Sequence, residues 1–321
     1  MEKIRKHHPF VSRFKQEVSK VIVGQEHLIN FMLLALLSDG HILLEGVPGI
    51  AKTQTAKTVA NISEAEFKRV QFTPDLMPSD ITGLEIYDRQ KGTWSTKKGP
   101  IFSNIFLADE INRSPAKVQS ALLESMGERQ VTIGDTTHRL PAVWLVIATQ
   151  NPIEQEGTYP LPEAQKDRFL FHVVVSYPAT EEEDIEITLR NETDETPQVE
   201  RVITLDELLQ TRKVVQQIHV SKNLRHYITR IVRATRPGNA FVDLKGKVQM
   251  GASPRANIYI TKAAKAHAFL EGRAYVIPED IHAVAHDILR HRIIMNYSAE
   301  SKDIHSDTVI DQILKTIPVP E

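Results

Sequence analysis

Residues 43–53 read LLEGVPGIAKT, in which Gly46, Lys52 and Thr53 keep the spacing of the phosphate-binding pattern G-x-x-x-x-G-K-[ST]. Ala51 stands where that pattern has its second glycine. The turn Gly46, Val47, Pro48, Gly49, Ile50, Ala51, with Lys52, Thr53 and Gln54 opening a helix, would surround phosphate oxygens with backbone N–H groups. Lys52 would neutralise the β- and γ-phosphates, and Thr53 would offer its hydroxyl to Mg²⁺. Ala51 suits this role on condition that its φ is helical, since only a left-handed position demands glycine. On these residues alone, the bland alternative is a glycine-containing turn before an unrelated helix.

Downstream, Ile105-Phe-Leu-Ala-Asp-Glu110 is an apolar run ending in two carboxylates. Beside a phosphate loop, Asp109 would reach the Mg²⁺ shell and Glu110 would polarise an attacking water as general base. A third run, Val143–Thr149, leads into Gln150-Asn151-Pro152. The amide at its tip could orient the water or touch the γ-phosphate; equally, Asn-Pro could simply end the strand.

These groups need a scaffold that gathers strand ends. Short apolar runs at Ile42–Leu44, Phe67–Phe72, Ile105–Ala108, Val143–Ala148 and Phe169–Val175 predict strands buried on both faces, as in a parallel sheet. Helical spacing over Gln25–Ser38, Lys52–Ile62 and Ser114–Met126 alternates with them. The third helix is expected to use Ser114 as N-cap, Pro115 as its first residue and Gly127 just past its end. This is the α/β doubly wound pattern. Beyond Tyr177-Pro178 the reading is helical, with no convincing strand; Thr180/Glu183 and Thr204/Glu207 have capping-box spacing, and 191–198 reads as a connector. Two domains follow: residues 1–178, α/β and nucleotide-binding, and residues 179–321, helical.

The chain has 321 residues and a net charge of -2, so bulk electrostatic attraction to nucleic acid is not expected. It has no cysteine, which excludes disulfides, thiolate metal sites and cysteine nucleophiles. No apolar h-region follows the charged start, and Phe31–Leu37 is far short of a membrane span, so a cytoplasmic location is expected.

Taken in order, GVPGIAKT, FLADE, ATQNP, LPEAQKDRF and GASPRA resemble the MoxR family of AAA+ ATPases over essentially the whole chain. The resemblance implies a P-loop αβα domain followed by an all-helical lid, ATP and Mg²⁺ as ligands, and a ring of like subunits, hexameric in related machines. It implies that Asn151 is sensor 1, that Arg168 is an arginine finger reaching the neighbouring subunit's nucleotide, and that Arg255 is sensor 2. Without it, Arg168 reads as a surface partner of Asp167 or Glu163. Ser253 and Pro254 support the placement of Arg255 in the first turn of a helix. Val23 and Gly24 match the segment that contacts adenine, although an apolar turn before a helix also packs for its own sake. Ala51 is usual in such loops.

Two stretches resemble the family's insertions: Thr73–Gly99, and Arg129–Leu140 as a hairpin turning at Gly134-Asp135. They would face a pore and move substrate, or serve as subunit contacts. His282 and His286 lie one turn apart, but no third ligand can be placed beside them. The expected function is ATP-driven remodelling or maturation of protein clients. No D-x-S-x-S adhesion motif is present, so a von Willebrand A partner, common for the family, would be a separate chain. The alternatives are a chelatase-type metal-insertion subunit and a nucleic-acid motor. The second is disfavoured because the Arg129–Leu140 hairpin carries few cations and no stacking aromatics. An inactive nucleotide-gated scaffold is disfavoured because every hydrolytic position is filled.

Overall fold

The computed structural model describes residues 2–90, 92–152, 157–190, 192, 197–244 and 246–320. Its strands in chain order begin with β1 (Ile42–Glu45) and β2 (Phe67–Gln71), then a ribbon of β3 (Gly83–Asp88) and β4 (Thr93–Lys98). After β5 (Ile105–Asp109) comes a second ribbon, β6 (Gln130–Ile133) and β7 (Thr136–Arg139). The strands β8 (Leu145–Gln150) and β9 (Phe171–Val174) are followed by a short pair, β10 (Val248–Met250) and β11 (Ile294–Met295).

The main sheet has the order β2-β5-β8-β1-β9, and the β2–β5, β5–β8 and β1–β8 pairs are parallel. β5 is wholly buried, and β1 and β8 are buried up to their last residues, as their apolar sequences demand. β2 departs from the expectation of a strand buried on both faces. It lies at the sheet edge, and Lys68, Arg69 and Gln71 are exposed. Register sets Gln71 opposite Asp109 and Glu45 opposite Gln150, so the polar residues cluster at the carboxyl ends of neighbouring strands. Open parallel sheets bind ligands at this end.

The helix Lys52–Ile62 begins where the loop pattern places it. The helix Ala116–Glu128 starts and ends later than expected. Ser114 is buried, and its hydroxyl donates back to the Ile111 carbonyl instead of capping the helix. Gly127 lies inside the last turn, and Arg129, at φ 54°, ends the helix. Of the two expected capping boxes, the second forms in full: the Thr204 N–H donates to Glu207 Oε2 at 2.9 Å and the Glu207 N–H to Thr204 Oγ1 at 3.2 Å. In the first, the Glu183 N–H donates to Thr180 Oγ1 at 3.3 Å, but the Glu183 carboxylate takes the N–H of Ala179, one residue before the cap, at 2.7 Å.

Both expected insertions contain antiparallel ribbons. In the first, Tyr87 faces Trp94; in the second, Ile133 faces Thr136 across the Gly134-Asp135 turn. The ribbons meet at Gly134, where a Cβ would collide with the Glu85 carboxylate.

The chain divides into two compact units, one of Phe10–Phe169 with Val173–Leu209, the other of Met1–Pro9, Leu170–His172 and Gln210–Glu321. Of the connector expected over 191–198, only 192, 197 and 198 are among the described residues. From Gln210 on, the described residues of the second unit are mainly helical, with the β10–β11 pair, which the sequence reading did not foresee. Each of these strands has at most three residues, too few to show an alternation. Within this unit Asp280 is fully buried and bonded to Arg273 Nη1 at 2.7 Å and His267 Nδ1 at 2.7 Å. No helix among the described residues is long and apolar enough to cross a membrane.

Candidate nucleotide site

The turn after β1 is shaped by what it must avoid. At Gly46 an added Cβ would lie 2.7 Å from the Val175 carbonyl oxygen, so this position admits no side chain. Gly49 turns the chain at φ 86°. Ala51 stands at φ 60°, ψ 15°, in the left-handed region and not in the helical one that the sequence reading required. The generic pattern has glycine here because of this conformation. Alanine has the smallest side chain that can adopt it, at a cost of about 1–2 kcal/mol. The Lys52 ammonium folds back onto the Gly46 carbonyl. Burial lowers its pKa, while Asp109, Glu110 and Glu45 pull the other way.

Opposite Lys52 and Thr53 stand the carboxylates that end β5. Thr53 Oγ1 lies 3.4 Å from Asp109 Oδ2. The other oxygen, Oδ1, accepts the Thr149 hydroxyl at 2.5 Å. Thr149 also accepts the Glu110 N–H at 2.8 Å, which holds Glu110 in a left-handed conformation of φ 54°. Backbone strain of this kind persists where its surroundings over-determine it. Glu110 Oε2 accepts from Gln71 Nε2 at 2.7 Å and from Arg113 Nη1 at 2.9 Å.

One cleft of about 400 Å³ brings together Pro48, Gly49, Ala51, Lys52, Thr53 and Gln54 with Asp109, Glu110 and Asn151. Arg69, Gln71 and Thr149, which the sequence reading missed, line it too. A second cleft of about 580 Å³ shares Pro48, Gly49, Ala51 and Gln54, and adds Val23, Ile50, Tyr177 and Ile187. Such a volume suits a small ligand, and the loop 48–54 lines both clefts. Gly24, at φ 62°, lies beside it, and a Cβ there would press on the Glu183 carboxylate at 2.8 Å. Gly24 therefore lets the helix Glu181–Arg190 approach. Gly46 and Val47 shape the turn without lining either cleft.

The donors facing Lys52 are a hydroxyl and carboxylates, hard oxygen ligands that fit Mg²⁺. Thr53 and Asp109 are the residues that would hold it.

Residues 41–171 match the domain family described as "ATPase family associated with various cellular activities (AAA)", and residues 244–313 match its "AAA lid domain". The chain is 48% identical to the "Chaperone MoxR1" of Mycobacterium tuberculosis, over 95% of this chain and 81% of that protein. It is 32% identical to "Protein MoxR" of Methylorubrum extorquens, over 96% of this chain and 95% of that one. The chain belongs to the MoxR family of AAA+ ATPases. A solved structure of an ATPase candidate from Cytophaga hutchinsonii superposes with a TM-score of 0.93 at 47% identity, covering 100% of this chain and 98% of its own.

Not all the residues singled out by the MoxR resemblance meet in the cleft. Asn151, 8% exposed, sits at the end of β8 within it. Arg168, just after the short helix Glu163–Lys166, does not line this cleft; its Nη1 donates to the Leu123 carbonyl of the helix Ala116–Glu128. The carboxylate of Glu163, one of its expected surface partners, takes Lys166 at 3.2 Å. Arg255 is the exposed first residue of the helix Arg255–Leu270 in the other unit, and its N–H donates to Ser253 Oγ at 3.2 Å. His282 and His286 bond to Tyr227 at 2.7 Å and to Asp311 at 3.0 Å.

Proposed function

We propose that this MoxR-family chain binds and hydrolyses ATP at the interfaces of a homo-oligomeric ring, most simply a hexamer, and uses the cycle to remodel or mature protein clients in the cytoplasm. The observation that carries the reading is the opposition of Lys52 and Thr53 to Asp109 and Glu110 across one cleft. Val23, Gly24, Ile50 and Gln54 would border the base and ribose, and the loop from Gly46 to Ala51 would wrap the phosphates. Thr53 and Asp109 would hold Mg²⁺, which when bound neutralises charge on the transferred group. Lys52 would draw negative charge from the β- and γ-phosphates. Glu110 would orient and deprotonate the attacking water, with Asn151 beside it at the γ-phosphate. Residues 1–178 are the nucleotide-binding domain in this reading, and 179–321 the lid that carries Arg255. Arg168 of one subunit would stabilise charge at its neighbour's site. The chaperone naming of the mycobacterial relative supports a protein client. A von Willebrand A protein as partner is part of the same proposal.

The test is a Glu110→Gln protein supplied with ATP and Mg²⁺. It should retain nucleotide binding, lose turnover and hold clients for capture. Full turnover in this variant would remove Glu110 from its role.

A further inference from the structure

Side chains alternate along a strand, so Arg69 and Gln71 share one face of β2, at the sheet edge. Arg69 Nε donates to Asp109 Oδ2 at 2.8 Å, and Nη2 lies 2.8 Å from the same oxygen. Nη2 also donates to Gln71 Oε1 at 3.1 Å, while Gln71 Nε2 donates to Glu110 Oε2 at 2.7 Å. A guanidinium has only donors. Arg69 therefore selects the Gln71 amide oxygen and turns its NH₂ towards Glu110. The two carboxylates are joined twice, through the backbone and through the path Asp109–Arg69–Gln71–Glu110.

The oxygens of Asp109 are not equivalent. Oδ1 is committed to Thr149 at 2.5 Å. Oδ2 faces the Thr53 hydroxyl at 3.4 Å and is the oxygen that Arg69 covers. A divalent cation shared by Thr53 and Asp109 would draw on that same oxygen and repel the guanidinium. The Arg69 side chain is 49% exposed, so solvent is at hand to receive it.

We propose that Arg69 is a cation-displaced positioning residue, holding Asp109 and, through Gln71, Glu110 until a divalent cation takes Asp109 Oδ2. Loss of the guanidinium from Asp109 Oδ2 would also free the Gln71 amide that it orients. The inference rests on the reading of Thr53 and Asp109 as metal ligands and of Glu110 as the base.

The experiment measures Mn²⁺ uptake by electron paramagnetic resonance, with the full chain and a non-hydrolysable ATP analogue. Arg69→Met should tighten Mn²⁺ binding about tenfold, within the usual range of coupling between sites. Arg69→Lys, which keeps the charge but not the forked reach, should tighten it less. Gln71→Ala removes one anchor of the guanidinium and should act in the same direction, more weakly. Unchanged or weaker Mn²⁺ binding in Arg69→Met, with wild-type binding intact, overturns the role of Arg69 and leaves the metal-site reading standing. A wild-type protein that binds the analogue but takes up no Mn²⁺ with it overturns both.

Discussion

Thr149 Oγ1 lies 2.5 Å from Asp109 Oδ1, a hydrogen bond from the end of β8 to the end of β5 with Thr149 only 1% exposed. The same hydroxyl accepts the N–H of Glu110 and so holds the strained turn between the two carboxylates. Thr149→Val keeps the shape and removes both bonds. It should lower stability by about 1–3 kcal/mol, the usual cost of leaving buried polar groups unpaired. Turnover should fall roughly 100-fold with ATP affinity little changed, because misplacement of a catalytic group harms the reaction more than binding. Thr149→Ser should restore most of both. Steady-state kinetics with parallel nucleotide titration decides it, and wild-type kcat in the valine variant would show that the bridge is dispensable.

Ala51 leads to a prediction of opposite sign. Its φ of 60° is one that glycine adopts without strain. Ala51→Gly recovers about 1–2 kcal/mol of conformational strain. Against that, glycine's freer unfolded chain costs about 0.4–1 kcal/mol. The variant should therefore equal or exceed wild type in denaturant midpoint, with nucleotide binding retained. A clear loss of stability would mean that the alanine methyl makes packing contacts worth more than the strain.

Much of this architecture was legible in the sequence because its signals are local. Buried runs marked β1, β5 and β8, and the loop pattern placed the start of the helix Lys52–Ile62 at its first residue. Edge position is not local. Phe67–Phe72 carries Lys68, Arg69 and Gln71 among its apolar residues, a pattern that only the strand order explains. The two-residue spacing of Arg69 and Gln71 was a visible sign of a shared face, but their partners lie about 40 residues away, at Asp109 and Glu110. Residue types near Arg168 offer only Glu163 and Asp167 as partners, and nothing local signals the carbonyl of Leu123, 45 residues earlier, to which its Nη1 donates. The left-handed φ of Ala51 was hidden because residue type gives only a preference where the turn as a whole sets the dihedral.

The Arg168 guanidinium is seated on its own chain at the Leu123 carbonyl, beside Gly127, where a Cβ would stand 3.3 Å from Nη1. A residue that acts on a neighbouring subunit gives a phenotype no single-site residue can. Arg168→Ala rings should bind ATP but turn over slowly, with losses on the order of 10³-fold for a finger supplied in trans. Mixing them with Glu110→Gln subunits should restore part of the rate, since each partner supplies what the other lacks. Rescue is read as turnover against mixing ratio. Its absence, in rings shown to be mixed, would place Arg168 in cis.

In the second unit the buried Asp280 predicts an acid-side response. Burial raises its pKa, but hydrogen bonds from Arg273, His267 and the Ile277 N–H outweigh that and hold it below the ordinary value of 3.8. A carboxylate depressed on folding stabilises fully above the pH at which the unfolded chain titrates. That contribution is lost as pH falls through the lower folded value. Wild-type stability should therefore decline below about pH 4, and Asp280→Asn should flatten this limb. At neutral pH the variant should lose roughly 3–5 kcal/mol, as when one partner of a buried pair is removed. Denaturant titrations of both proteins over the acid range decide it. An unchanged acid limb in Asp280→Asn would mean that other carboxylates set the decline.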